Sequence, residues 1–254
     1  MSLRKILEAL AEFDSSLLAN TLDSIDPTPT HEIYMSGDIH SLTPSLGPTV
    51  GVASTCKLDT STPGQKADVD LYWRQLEAME AMTDPIVWVV EPVGDRPDHE
   101  CIMGDGMAHT FYSVGCLGVV TSGRVRDLEG MHPIPFAAYA RGTCVHHTAM
   151  RYVEIDTPVQ VGGITVSSGD IIHASNEGVI KIPTASAELL LQWTPKMRGF
   201  EHDAHEVLQT NISVADKRER VLDLFRKYGL NDVLDNNHAY YTKSSRSETA
   251  DLEG

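Results

Sequence analysis

The segment from Thr49 to Thr121 alternates between two periodicities, and that alternation restricts the fold more than any other feature of this chain. Thr49-Val50-Gly51-Val52-Ala53-Ser54 reads as a buried strand, and Val69, Tyr72, Trp73, Leu76 and Met79 then recur at helical spacing between Lys66 and Met82. Ile86-Val87-Trp88-Val89-Val90 is a short apolar run rich in β-branched residues, which predicts a second strand. Met107 to Val114 follows as a helix closed by Gly115, and Gly118 to Thr121 as another buried strand. Helix alternating with strand predicts an α/β core: a mixed sheet flanked by helices. Strands dominate downstream, at Phe136–Ala140, Val159–Val166, Asp170–Ala174 and Val179–Ile182. They are punctuated by Gly162-Gly163, Ser168-Gly169 and Asn176-Glu177-Gly178.

Helices are expected on both sides of that core. Residues 1–25 read as two short amphipathic helices broken near Asp14-Ser15-Ser16, and Asp26 to Pro48 as a loop opening a core domain over 26–183. Residues 184–230 read as C-terminal helices: one from a Thr184 cap through Leu189-Leu190-Leu191 with a kink or break at Pro195, and one from Ser213 to Tyr228 stopped by Gly229. Residues 231–254 form a polar tail.

At 254 residues and 41% hydrophobic, the chain suffices for one domain with appendages. A formal charge of −16 repels phosphate backbones, and no Lys/Arg stripe interrupts it, so no nucleic-acid partner is expected. No apolar run is long enough for a membrane span, and the N-terminus lacks a signal-peptide pattern, which points to a cytoplasmic location. Cys56, Cys101, Cys116 and Cys144 are scattered, as free and mostly buried thiols would be.

The chemistry concentrates in Gly104-Asp105-Gly106 and, after 20 intervening residues, Arg126-Asp127. Gly104-Asp105-Gly106 lies between a strand region and a helix start, where backbone amides lack partners and favour an anion. The intervening segment is long enough for a helix and a strand, which would return Arg126 and Asp127 to the same sheet edge as Asp105. Two carboxylates with few soft neighbours suit magnesium, which keeps several waters that a chelating 2-oxo acid can displace. Such a metal draws charge onto the keto oxygen as a neighbouring carbon bond breaks, and Arg126 would stabilise the resulting enolate. The alternatives are ordinary: Arg-Asp is a common surface pair or cap, and Asp-Gly a common turn.

That spacing, with Gly115 to Val120 (GCLGVV) inside it, resembles the signature of the class II pyruvate aldolases that cleave 4-hydroxy-4-methyl-2-oxoglutarate and 4-carboxy-4-hydroxy-2-oxoadipate. These share a fold with RraA, the regulator of ribonuclease activity. The similarity extends through Gly162 to Asp170 and the Glu177-Gly178-Val179 turn. It implies an α/β/α sandwich related to swivelling phosphohistidine domains, assembled as a homotrimer or homohexamer with active sites between subunits and Mg2+ or Mn2+ bound. Asp127 would hold the metal directly and Asp105 through water. Arg126 would hold the enolate oxygen, and the backbone at Gly104, Gly106 and Met107 the substrate carboxylate. Glu201 of a neighbouring subunit would complete the site. A divalent-metal-dependent lyase follows, cleaving a 4-hydroxy-2-oxo acid or decarboxylating oxaloacetate; the alternative is a non-catalytic regulator on the same scaffold. The chain has Ser122-Gly123 where the family often has Asp-Gly.

Other groupings carry less. His202-Asp203-Ala204-His205-Glu206 could hold a metal but lacks a third ligand at recognisable spacing, so a solvated charged face is the simpler reading. His132, His146 and His147 are set aside as packed or hydrogen-bonded residues, and Cys144 as a buried thiol without an activating group. A dinucleotide fingerprint is excluded because His109 stands where the third glycine would be.

Overall fold

The protein is represented by a computed structural model in which residues 1–230 are described; the polar tail expected over 231–254 lies outside the described residues. Two helices, α1 (Leu3–Leu10) and α2 (Ser15–Ile25), open the chain, and the Asp14 carboxylate caps α2 by accepting from Leu17 N–H at 2.7 Å. Then follow β1 (His40–Ser41), β2 (Thr49–Asp59), α3 (Asp70–Glu80), β3 (Ile86–Pro92), β4 (Cys101–Met103), α4 (Asp105–Ser113), β5 (Cys116–Thr121) and β6 (Arg124–Val125). After a single-turn α5 (Leu128–Met131) come β7 (Ala137–Ala140), β8 (Arg151–Ile155), β9 (Val159–Val161), β10 (Ile164–Val166), β11 (Ile171–Ser175) and β12 (Gly178–Ile182). The long α6 (Ala187–Gln209) and α7 (Val214–Tyr228) close it. No helix among the described residues is long and apolar enough to cross a membrane.

The main sheet is mixed, as expected. Its order is β1-β7-β5-β3-β2-β11-β12, with β8 also pairing β2. The central strands β2, β3, β5 and β7 run parallel, while β1, β8, β11 and β12 join antiparallel. The 11-residue β2 uses one edge twice: Thr49 to Val52 pair with β11, and Cys56 to Asp59 pair with β8.

Successive side chains of β3 leave opposite faces, so a run buried on both sides must be continuously apolar. Ile86, Trp88 and Val90 pack with Leu76, Met79 and Phe111 under α3 and α4. Val87 and Val89 pack with Val159, Val161 and Ile164, so the β9–β10 hairpin closes the opposite face. A further core, on the helical side near β11 and β12, joins α1, α2, α6 and α7 through Leu10, Leu18, Leu190 and Phe225.

Three local expectations are corrected. The helix predicted from Lys66 begins only at Asp70, and Val69 and Trp73 are 41% and 58% exposed while the polar Gln75 is buried. Gln75 is satisfied there: it accepts from Trp88 Nε1 at 3.0 Å and donates to Ser54 Oγ and the Thr55 carbonyl. Pro195 does not break its helix. α6 runs on through it, with Leu190, Thr194 and Met197 buried on either side, so packing outweighs one missing N–H. Strand β8 carries little signal in the sequence, because RYVEI alternates weakly, whereas β4 is the strand region expected ahead of Gly104.

His173 joins the helical layer to the sheet. It is fully buried on β11, its Nε2–H donates to the Phe13 carbonyl (3.1 Å), and its Nδ1 accepts from Ser15 Oγ (2.9 Å). Burial holds the ring far below its ordinary range, at about 4. The unfolded chain therefore binds the proton first as pH falls through 6.5, and stability present above that pH is lost down to about pH 4. The loss is about 3 kcal/mol from this group. Urea titrations at pH 7 and pH 4 should show the wild type losing that much more than His173→Gln.

Candidate functional site

The site grows from a two-stranded parallel ribbon beside the main sheet, not from the main sheet's edge as the spacing suggested. β4 pairs with β6, Cys101 opposite Arg124 and Met103 opposite Val125, and Arg126 N–H donates to the Met103 carbonyl at 2.9 Å. The intervening 20 residues run out along α4, return on β5 and turn at Ser122-Gly123. Parallel pairing then sets Gly104, at the end of β4, against Arg126-Asp127, at the end of β6.

The two carboxylates each occupy space left by a glycine. A Cβ on Gly104 would lie 2.7 Å from Asp127 Oδ2 and 3.1 Å from Arg126 Nε. A Cβ on Gly130 would collide with the Asp105 carboxylate. Gly104 has an ordinary extended φ of −122°, so glycine serves there for close approach rather than for backbone conformation. Asp127 has a left-handed φ of 57°, which aspartate tolerates better than most residues, and leads into α5.

Arg126 is held without being satisfied. Its Nε is 3.1 Å from Asp127 Oδ2, yet the N–H does not point at that oxygen, and Nε is a buried donor with no hydrogen-bond partner. Its Nη1 donates to His146 Nδ1 at 3.3 Å. A guanidinium only donates, so that ring nitrogen is the acceptor. Asp105 Oδ1 accepts Gly106 N–H at 2.7 Å, so this amide is engaged within the chain. Met107 follows in the first turn of α4, where amides lack intrahelical acceptors. Glu201 sits apart on α6, accepting from Asn20 Nδ2 of α2 at 2.9 Å. The side chains of Arg126 and Asp127 are 31% and 44% exposed. The two cavities described, of about 320 and 280 Å³, are lined by other residues.

Below the ribbon lies a support that the sequence did not advertise. Glu100 is fully buried and accepts from Thr60 N–H (2.9 Å), Thr60 Oγ1, Ser61 Oγ (3.0 Å) and Gly94 N–H. Thr60 Oγ1 in turn accepts Cys101 N–H at 3.0 Å, which anchors β4. A polar residue in a loop looks like surface until tertiary structure supplies its partners. Thiol chemistry finds no support: burial pushes Cys101 and Cys116 up to about 12. Cys144, expected buried, is half-buried on the loop beside the site.

His202, Asp203 and Glu206 cluster on α6, but Lys227 Nζ (2.6 Å) and Tyr228 Oη (2.7 Å) already bind the Asp203 carboxylate. Lys227 foremost holds that group down at about 2.

A family model described as RraA-like, Aldolase/RraA, matches residues 18–181. A protein of Halalkalibacterium halodurans named "Putative 4-hydroxy-4-methyl-2-oxoglutarate aldolase" is 28% identical over 138 residues, which are 54% of this chain and 65% of that protein. This chain thus spans less than two thirds of that relative's length. A solved structure described as "novel cellulases from microbes associated with the gut ecosystem" gives a TM-score of 0.69 at 18% identity, covering 80% of this chain and 88% of its own. Streptomyces coelicolor RraAS2, described as an unusual member of the RNase ES inhibitor RraA protein family, gives 0.64 at 21% identity over 79% and 96%. At such identities the likeness is one of fold. The matched span takes in α4, the β4–β6 ribbon and most of the mixed sheet, and the chain belongs to the RraA-like family.

Proposed function

We propose that the chain is a divalent-metal-dependent lyase that makes a pyruvate enolate, by retro-aldol cleavage of a 4-hydroxy-2-oxo acid or decarboxylation of oxaloacetate. The observation that carries this reading is the seating of Arg126 and Asp127 over Gly104 and of Asp105 over Gly130, with a buried Arg126 N–H still lacking an acceptor. Two hard carboxylates suit Mg2+ or Mn2+, which Asp127 and Asp105 would hold. Bound there, the ion would act as a Lewis acid on the substrate's keto group. Arg126 would turn its guanidinium to the keto oxygen, where negative charge grows as the carbon bond breaks. Such a donor is worth roughly 3 to 4 kcal/mol of barrier. The first turn of α4, at Met107, offers an amide to the substrate carboxylate. The name of the Halalkalibacterium halodurans relative supports the same reaction class. The openness of the site within one chain supports an assembly, trimeric or hexameric, whose neighbouring subunits wall it.

The test is pyruvate release by the full chain from 4-hydroxy-4-methyl-2-oxoglutarate and from oxaloacetate, with Mg2+ or with EDTA. Release that EDTA abolishes is expected. No release from either acid would overturn the reading in favour of a non-catalytic binding protein on the same scaffold.

Gly104→Ala probes the packing directly. The new Cβ strikes side-chain ends rather than backbone, so the fold should persist while Asp127 and Arg126 move apart. Mn2+ affinity, read by electron paramagnetic resonance, should fall about 10- to 100-fold, as when metal ligands lose their orientation. An unchanged melting temperature would show that the loss is local.

A further inference from the structure

We infer that His146 is the general base that takes the proton from the substrate's 4-hydroxyl in carbon–carbon cleavage, an inference that rests on the lyase reading above. Cleaving a 4-hydroxy-2-oxo acid requires removal of the hydroxyl proton as the bond between C3 and C4 breaks. Within one chain, Glu201 lies on α6 with Asn20 donating to it, and Asp105 and Asp127 are the carboxylates assigned to the metal. His146 instead contacts Arg126 itself, through Nδ1 at 3.3 Å from Nη1. Because Nδ1 accepts that bond, the ring is unprotonated there and its lone pair faces the guanidinium.

The reach is suitable. The keto oxygen on C2 and the hydroxyl on C4 are 1,3-related and lie side by side when the chain is folded for cleavage. A substrate whose keto oxygen sits on Arg126 therefore presents its hydroxyl to a group next to that guanidinium. As Arg126 turns towards the keto oxygen, Nδ1 is released to accept the hydroxyl proton. The electrons of the O–H bond form the new carbonyl at C4, those of the bond between C3 and C4 form the enolate, and C3 then takes a proton from water. The imidazolium returns its proton to solvent, so the balance closes.

The loop that carries His146 is fixed at both ends. Cys144 N–H donates to the Val125 carbonyl (2.9 Å) and Thr148 N–H to the Thr60 carbonyl (2.8 Å), while His146 remains exposed. The groups beside it are Cys144, whose thiol meets the His146 carbonyl, and His147, with ring centroids 5.1 Å apart. His147 is already committed, through Nδ1 to the Thr148 carbonyl at 2.6 Å.

The experiment compares two reactions in one variant. Oxaloacetate decarboxylation has no hydroxyl proton to remove, so it needs Arg126 but not the base. His146→Ala should slow aldol cleavage by about 10²- to 10⁴-fold, the usual scale for a general base, and slow decarboxylation, which loses only the contact to Arg126, far less. Added imidazole should restore part of the cleavage. A parallel fall in both reactions would make His146 merely a support for Arg126, and no fall in cleavage would remove it from the mechanism; either result overturns the inference while the lyase reading stands. A wild type that releases pyruvate from neither acid overturns both. As a readout apart from turnover, the His146 ring proton resonance, assigned by its loss in the variant, should shift when pyruvate is added with Mg2+. A resonance that stays in place while pyruvate binds would also overturn the inference.

Discussion

Asp127→Asn is expected to reduce pyruvate release by on the order of 10³-fold without unfolding the protein. The Lewis-acid contribution of a bound metal is several kcal/mol, and each 1.4 kcal/mol is a factor of ten in rate. Asparagine is the informative replacement because it shares aspartate's tolerance of the left-handed backbone seen at φ 57°, so the lead into α5 survives. It removes only the charge and one hard oxygen. Circular dichroism and the thermal midpoint should match the wild type, while Mn2+ binding and turnover fall together. Full activity in this variant would refute the assignment of Asp127 as the metal ligand.

Trp88→Ala should produce the largest loss of stability. Trp88 is fully buried at the centre of β3, its ring stacks on Phe111 at 4.3 Å between centroids, and its Nε1–H donates to Gln75 Oε1. Truncating a buried tryptophan costs about 3–5 kcal/mol. Stranding the Gln75 oxygen adds about 1–3 kcal/mol. Against a typical total of about 5–15 kcal/mol, the variant should be close to unfolding at moderate temperature. Trp88→Phe separates the two contributions: it retains most of the ring and loses the hydrogen bond, so its cost in a urea titration should be near the smaller figure. Equal losses in the two variants would mean that the Gln75 bond, and not packing, dominates.

The elements legible in advance are those whose signals are local. The run at Ile86 to Val90 is apolar at every position because β3 is covered on both faces, and Ser213 and Gly229 bound α7 because a cap and a left-handed stop are one-residue chemistry. Signals that depend on distant partners are absent from the local pattern. Trp73 has the right spacing for a core position and yet faces solvent, whereas polar Gln75 lies inside because Trp88, Ser54 and Thr55 meet all its needs. Pro195 is a breaker locally, and only the packing of Leu190 and Met197 shows that α6 continues.

The candidate site divides in the same way. Residue type and spacing by themselves picked out Asp105, Arg126 and Asp127, since hard carboxylates and a guanidinium carry their chemistry with them. Only the tertiary structure decided that Arg126 and Asp127 sit over Gly104 at the end of the β4–β6 ribbon and Asp105 over Gly130, that buried Glu100 anchors the ribbon, and that His146 reaches Arg126. The physical reason is that periodicity and capping are encoded within a few neighbouring residues. A hydrogen bond between positions 126 and 146, or a carboxylate seated over a glycine 25 residues away, exists only once the sheet has brought the strands together.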